Sequence, residues 1–500
     1  MTDFQNKIQH YMDAGFPILY LNTYEEATAE EAVKRASVSG PILVWDGTDR
    51  ICDISVSPPA VKYETAMCPL PEILDDRLAY RKKQVLLLKN IETFMNDPAV
   101  LARLKKIAEQ VHVGILDTTI VILSPVLRLP NEIEKYITVI EMDYLTSDEI
   151  QKVIQGFIQD QETTITKELE ATLTNAFKGL SAFEIQNILQ LAYAENGELT
   201  SAQISLIFRQ KQQMIKKAGI LEMIPFEKTE TIDDIGGLEN LKRWLERKAE
   251  IFSNMDQAKA FGVDMPKGVL IAGVPGCGKS LSAKASAHLF NVPLLRLDMG
   301  RLLGKYVGES EANMRRAIEL AEAISPCVLW IDELEKAFAG IGGSGSGAEV
   351  TTRLFGSFLT WLQEKESPVF VVATANEIVH LPPELLRKGR MDEIFYVGLP
   401  KREERRKIFE IHIRKRRKKD LPDISMERLL DETDGYSGAD IEGVVRESVE
   451  QVYTEGRNKL TAEDILSAIR NTHCLSEIMK GPIEQMEQEY KNRKFKNASK

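Results

Sequence analysis

Apolar runs and polar intervals alternate along this chain in a pattern that predicts two successive α/β units, each followed by helices alone. Residues 4–14 pattern as an amphipathic helix leading into the apolar strand Phe16-Pro17-Ile18-Leu19-Tyr20-Leu21. Thr23-Tyr24-Glu25-Glu26 then opens a helix through residue 36, with glutamates in its first turn where the helix dipole favours them. Further apolar runs stand at Ile42-Leu43-Val44-Trp45, Val85-Leu86-Leu87-Leu88 and Ile120-Val121-Ile122-Leu123. Helical pattern separates the later ones, as in a parallel sheet buried on both faces. This divides the chain into an α/β domain over 1–146, a helical lid over 147–217, an aperiodic linker over 218–231, a second α/β domain over 232–400, a second helical lid over 401–475 and a polar tail over 476–500. The tail reads as a frayed helix or an extension.

The two halves read as one unit written twice. Pro41-Ile42-Leu43-Val44-Trp45-Asp46 parallels Pro293-Leu294-Leu295-Arg296-Leu297-Asp298, and Val85-Leu86-Leu87-Leu88 parallels Val328-Leu329-Trp330-Ile331. Gly179-Leu180-Ser181-Ala182 parallels Gly435-Tyr436-Ser437-Gly438, and Leu199-Thr200-Ser201-Ala202 parallels Leu460-Thr461-Ala462-Glu463. The separation stays close to half the chain throughout. The fold class expected is therefore α/β: two tandem P-loop-NTPase-like domains, each with a helical lid.

Only the second copy carries nucleotide chemistry. The run Gly268-Val269-Leu270-Ile271-Ala272 enters Gly273-Val274-Pro275-Gly276-Cys277-Gly278-Lys279-Ser280, and Leu281 continues into a helical pattern. This is a G-x-x-x-x-G-K-S loop in the strand–loop–helix context the motif needs. The glycines let successive N–H groups point at phosphate oxygens, and the helix start adds its positive end. Lys279 is placed to reach β- and γ-phosphates and Ser280 to sit on Mg²⁺. Val328-Leu329-Trp330-Ile331 ends in Asp332-Glu333, where Asp332 can hold Mg²⁺ through water and Glu333 can act as general base. Val369-Phe370-Val371-Val372-Ala373-Thr374-Ala375 ends in Asn376, which can orient the lytic water or simply cap a turn. In the first copy the equivalent of the P-loop is Asn22-Thr23-Tyr24-Glu25-Glu26, without glycine or lysine, and Lys89-Asn90 replaces the acid pair. That half is expected to bind no nucleotide and to serve as structure or as a partner-docking module.

Composition narrows the class without changing it. A 43% hydrophobic, 28% charged chain of 500 residues is ordinary for globular protein and too long for one core. The net charge of -11 argues against general nucleic-acid affinity, so no nucleic-acid partner is expected. The basic run Arg414-Lys415-Arg416-Arg417-Lys418-Lys419 reads as a solvated helix face or an inter-subunit contact. Cys52, Cys68, Cys277, Cys327 and Cys474 show no paired or metal-binding spacing, which fits a reducing compartment. No stretch reads as a signal peptide or a bilayer-spanning segment, so a cytoplasmic protein without membrane insertion is expected.

Taken in order, these motifs resemble the AAA clade of AAA+ ATPases over residues 232 to about 474. Ile232-Asp233-Asp234-Ile235-Gly236-Gly237-Leu238-Glu239 is similar to that clade's entry segment, whose counterparts of Ile235 and Gly236 contact adenine. The resemblance implies ATP and Mg²⁺ as ligands, and a homo-hexamer in which Arg387 and Arg390 reach a neighbour's γ-phosphate. It further implies a lid that offers no sensor arginine, the position falling near Ala439. Lys305-Tyr306-Val307-Gly308 is similar to the clade's pore loop, in which an aromatic residue grips an extended polypeptide, and Gly340-Ile341-Gly342-Gly343-Ser344-Gly345 sits where a second pore loop stands. Arg353 in the following helix would meet an acid across the subunit boundary. The two-part layout is similar to the hypothetical chloroplast open reading frame forty-six group of cyanobacteria and algal plastids. This implies an ATP-driven remodelling motor acting on a protein substrate or adaptor, or else an ATP-regulated scaffold, in the cytoplasm or a plastid stroma, with a hint of carbon assimilation.

Overall fold

The computed structural model describes the chain except residues 1–2, 24, 38–39, 48–50, 57–59, 64–69, 125–126, 128, 143, 201–203, 226–228, 303–308, 339–345, 379–380, 383, 386 and 388. It divides into two units, residues 1–163 with 180–191 and residues 164–179 with 192–500, each built on a seven-stranded sheet.

In the first unit the strands are β1 (Ile18–Asn22), β2 (Ile42–Trp45), β3 (Ile51–Asp53), β4 (Ala60–Tyr63), β5 (Gln84–Lys89), β6 (Thr118–Ser124) and β7 (Ile137–Glu141), in the order β4-β3-β2-β5-β6-β1-β7. In the second they are β8 (Leu221–Ile224), β9 (Gly268–Gly273), β10 (Leu294–Leu297), β11 (Cys327–Ile331), β12 (Val369–Ala375), β13 (Glu393–Val397) and β14 (Lys496–Asn497), in the order β14-β13-β9-β12-β11-β10-β8. The parallel cores β7-β1-β6-β5-β2 and β13-β9-β12-β11-β10 match strand for strand, and each carries an antiparallel strand beside β2 or β10. This bears out the duplicated α/β fold. Inner strands such as β9, β11 and β12 are apolar on both faces because helices cover both, and their residues are buried throughout.

Three segments differ from the sequence reading. The stretch expected to be a linker contains β8, which pairs antiparallel with β10, with Leu221 opposite Leu297. Its alternation of buried Leu221 and Met223 with exposed Glu222 is too short to register as a period. The helices Lys167–Phe177 and Ile204–Ala218, expected in a lid of the first copy, lie in the second unit. There Lys178 Nζ donates to the Ser325 carbonyl at 3.4 Å, Gln212 Nε2 to the Met223 carbonyl at 2.9 Å, and Lys211 Nζ to the Ala176 carbonyl at 2.9 Å. The expected polar tail is ordered as the helix Lys480–Asn492 followed by β14, with Tyr490 stacked on Tyr396 at 4.2 Å between ring centres and Ala498 fully buried. Residues 496–499 follow in order, anchored by backbone hydrogen bonds that hydropathy cannot reveal.

Candidate functional site

At the carboxyl ends of β9, β11 and β12 a cleft of 480 Å³ opens, closed at one end by the lid helices Arg402–Arg417 and Gly438–Thr454. Crevices at this end of a parallel sheet are where α/β folds bind ligands. The P-loop crosses between β9 and the helix Lys279–Phe290. Gly273 has φ 146, and a Cβ there would fall 2.0 Å from the Val397 carbonyl oxygen, so only glycine lets the loop leave the sheet. The loop is fixed to the lid: the Ala439 N–H donates to the Gly276 carbonyl at 2.9 Å.

Residues Pro275 to Leu281 line the cleft together with Asp332, Glu333, Asn376, Ile235, Gly236 and Ala439. The fold thus gathers into one cavity residues from five separate stretches of sequence. Val274 is buried beneath the loop, its N–H bound to the Val397 carbonyl at 2.9 Å. Lys279 is buried, and its Nζ donates to the carbonyls of Gly273 and Val274, both at 2.8 Å. Burial lowers its pKa to about 8, with the Asp332, Glu333 and Glu335 carboxylates opposing that fall. Ser280 Oγ donates to Asp332 Oδ1 at 3.2 Å. Glu333 has φ 51, a conformation costly for a non-glycine residue, and its carboxylate is paired with Lys336 at 2.5 Å. Asn376 Nδ2 reaches Glu333 Oε1 at 3.5 Å.

Several participants escaped sequence reasoning. Thr374, one position from the end of β12, donates through Oγ1 to Asp332 Oδ1 at 2.6 Å and accepts from the Glu333 N–H at 3.1 Å. Glu335 is buried with its pKa raised by burial, and its Oε1 accepts from the Asn376 N–H at 3.1 Å. At the opposite end Ile408, Ile411, His412, Lys415 and Glu442 line the wall. Lys415 pairs with Asp234 at 2.9 Å and Arg416 with Glu442 at 3.0 Å. Part of the basic run is therefore spent on the cleft's own acids. Glu404 carries the deepest link: its Oε1 accepts from the Leu238 N–H at 3.0 Å and its Oε2 from the Lys401 N–H at 2.9 Å, tying the entry segment to the lid. In sequence Glu404 and Glu335 look like surface charge; only the backbone N–H groups they bind reveal otherwise.

Two expected site residues, Arg387 and Arg390, stand apart from the cleft. Arg387 is exposed and Arg390 half-buried, with Arg390 Nη1 lacking a hydrogen-bond partner, and neither lines the cavity. Tyr306 and Val307, with the rest of 303–308 and the glycine-rich 339–345, lie outside the described residues. In the first unit the corresponding corner has opposite chemistry: Lys89 at the end of β5 pairs with Glu30, and β1 passes to the helix Glu26–Ala36 without a phosphate loop. Among the described residues no helix is long and apolar enough to cross a membrane.

A parallel sheet with a P-loop after one inner strand, an acid pair after another and a lid bonded to that loop defines a P-loop nucleotide-binding domain with lid. Residues 269–399 match the family of ATPases associated with various cellular activities (AAA), and 423–467 match the AAA+ lid domain. Residues 4–142 and 148–218 match the N-terminal and second domains of SpoVK-like AAA ATPases. The chain is 38% identical over 480 residues to the uncharacterized AAA domain-containing protein ycf46 of Guillardia theta, covering 95% of this chain and 92% of the relative. It is 35% identical over 500 residues to the ycf46 protein of Pyropia yezoensis, covering 99% of each. A cell division cycle protein 48 homolog of Archaeoglobus fulgidus is 31% identical over 350 residues, 65% of this chain and 46% of that one. The chain belongs to the AAA ATPase family, in its ycf46 group.

Proposed function

We propose that this chain is a Mg²⁺-dependent ATPase that works as a ring of identical subunits, a homo-hexamer on family grounds, and that hydrolysis drives remodelling or threading of a protein substrate. The observation that carries the reading is the meeting of Lys279, Ser280, Asp332, Glu333 and Asn376 in one cleft that Arg387 and Arg390 do not enter. Lys279 exchanges its two loop carbonyls for β- and γ-phosphate oxygens, and the N–H groups of residues 274–281 take the rest. Ile235, Gly236 and Ala439 hold the base. Asp332 and the Ser280 hydroxyl, with Thr374 behind them, form a hard oxygen set suited to Mg²⁺. Acids flank the phosphate end, so a polyphosphate there needs a divalent cation to offset their repulsion. That ion, when bound, neutralises charge on the β- and γ-phosphates. Glu333 leaves Lys336 to accept a proton from the attacking water, and Asn376 orients that water. Arg387 and Arg390 complete a neighbour's cleft, and Tyr306 with Val307 grips substrate in the pore.

The test is complementation between variants. Arg387→Ala or Arg390→Ala should each lose activity, and mixing either with Lys279→Ala should restore part of it. Full turnover from demonstrably monomeric protein would refute the shared site. A scaffold reading, in which hydrolysis is a timer, draws on the first half, which keeps the strand order but has an ion pair at the phosphate corner. A Tyr306→Ala variant that partners stimulate as well as wild type would favour it. The setting proposed is the cytoplasm or a plastid stroma.

A further inference from the structure

The residues after the helix Lys480–Asn492 do more than close a sheet edge. Lys496 and Asn497 run parallel to Phe395 and Tyr396, and the Ala498 N–H donates to the Tyr396 carbonyl at 2.8 Å. The Ala498 carbonyl in turn accepts from the Asn240 N–H at 2.9 Å and the Leu241 N–H at 3.2 Å. Those groups belong to the first turn of the helix Glu239–Ser253, whose cap position is held by Leu238 with no side-chain cap bond. A helix start leaves its first N–H groups without intrahelical partners, and a serine or aspartate usually supplies one. Here a backbone carbonyl far along the chain does so. The grip is mutual: Asn240 Nδ2 donates to the carbonyls of Asn497 at 3.2 Å and Ser499 at 2.7 Å. Asn497 Oδ1 accepts from the Ser499 N–H at 2.9 Å, which fixes the turn that follows.

What this capped helix carries is the base end of the cleft. Ile235 and Gly236 line it, and Leu238 follows at φ 57 with its N–H on Glu404. Gly236 has no room to shift toward the lid, because a Cβ there would meet Ile408 Cγ1 at 2.4 Å. Ser499 borders a small void shared with Leu238, Cys277, Gly398 and Glu404, directly behind the P-loop. The entry turn is thus held from the lid on one side and from residues 496–499 on the other.

We infer that residues 496–499 are a positioning strap for the nucleotide site, fixing the turn at 235–238 by capping the helix behind it. The inference rests on the reading of the cleft as an ATP site. It is tested by ending the chain after Phe495, and separately by Asn240→Ala in the full chain, with ATP affinity and saturated turnover measured for each. The shortened chain should bind ATP about tenfold more weakly, the scale of one lost helix cap, while turnover at saturating ATP stays within about twofold. A synthetic peptide of residues 494–500 should restore its affinity, and Asn240→Ala should show the same split at smaller size. A folded shortened chain that binds ATP like the full one overturns the inference, as does turnover falling in step with affinity. If the shortened chain does not fold, unchanged affinity in Asn240→Ala overturns it instead. A full chain that binds no ATP would refute the reading of the cleft, which is a separate outcome.

Discussion

Replacing Thr374 with valine removes one hydroxyl from a buried position and leaves its shape. That hydroxyl donates to Asp332 Oδ1 at 2.6 Å and accepts from the Glu333 N–H at 3.1 Å, so it orients both acids of the strand end. A hydrogen bond to a charged group contributes about 1.5–3 kcal/mol, and a buried N–H left unpaired costs about 1–3 kcal/mol. The second figure falls on Glu333, whose left-handed backbone at φ 51 already carries strain that the lost bond helps to hold. Partners behind a metal-binding carboxylate typically change metal affinity or activity by about 10–100-fold. Thr374→Val should therefore lower saturated turnover by about 10–100-fold and raise the free Mg²⁺ needed for half-maximal rate. Thr374→Ser, which keeps the hydroxyl, should stay within a few-fold of wild type. Initial rates across a Mg²⁺ titration, with circular dichroism melts to confirm folding, decide it. A valine variant within about twofold of wild type in both quantities would show that Asp332 and Glu333 hold their places without Thr374.

Glu333→Gln should keep ATP bound while turnover falls by about 10²–10⁴-fold, checked by equilibrium binding beside single-turnover hydrolysis. Glu404→Ala should destabilise the fold by about 1–3 kcal/mol by orphaning the buried Leu238 N–H, and should weaken ATP binding because the entry turn loses its tie to the lid. Chemical denaturation and nucleotide titration measure the two effects. Lys211 is buried with a pKa lowered to about 7, chiefly by burial, whereas in the unfolded chain it titrates near the ordinary lysine value of 10.5. Between those values the unfolded state binds the extra proton, so wild-type stability should rise with pH relative to Lys211→Met, by up to about 1.4 kcal/mol per unit. Parallel slopes of stability against pH for the two proteins across that window would remove Lys211 from this role.

What could be read from the sequence follows from where each constraint lies. The P-loop is local: backbone turn, lysine and hydroxyl occupy adjacent positions, so Gly273 to Ser280 announce themselves. Asp332, Glu333 and Asn376 were legible because each ends an apolar strand, and the strand order then brings those ends together. Thr374, Glu335 and Glu404 were not, because their partners lie far off in sequence, at another strand end or in the entry segment, and a buried carboxylate bonded to backbone N–H groups looks in sequence like any surface glutamate. β14 was hidden for a different reason. Its two residues are a lysine and an asparagine, and its stability comes from pairing and from Ala498 rather than from hydropathy. That helix Ile204–Ala218 packs within the second unit was not legible either, since helical periodicity reports a buried face and not what buries it.

The two copies also separate what the backbone demands from what the chemistry demands. Asn90 and Glu333 stand at the same place after equivalent strands, and both are left-handed, at φ 54 and φ 51. The turn that leaves this strand thus imposes the conformation whether or not a nucleotide site exists. Asparagine tolerates it readily, while glutamate accepts it at a cost. Two positions further on, Glu92 accepts from Ser124 Oγ at the end of β6, and Glu335 accepts from the Asn376 N–H at the end of β12. A glutamate that joins these strand ends in the half without a P-loop is doing structural service, and Glu335 inherits that role rather than a catalytic one. Of the two residues at this turn, the glutamate is the one in the copy with the P-loop lysine, where the proposed general-base role would give its carboxylate water to activate. Exchanging the two residues makes the division measurable. Asn90→Glu should destabilise the fold by about 1–2 kcal/mol without creating activity, and Glu333→Asn should stabilise it by a similar amount while abolishing turnover. If Glu333→Asn melts no higher than wild type, the left-handed turn carries no strain and its glutamate needs no functional justification.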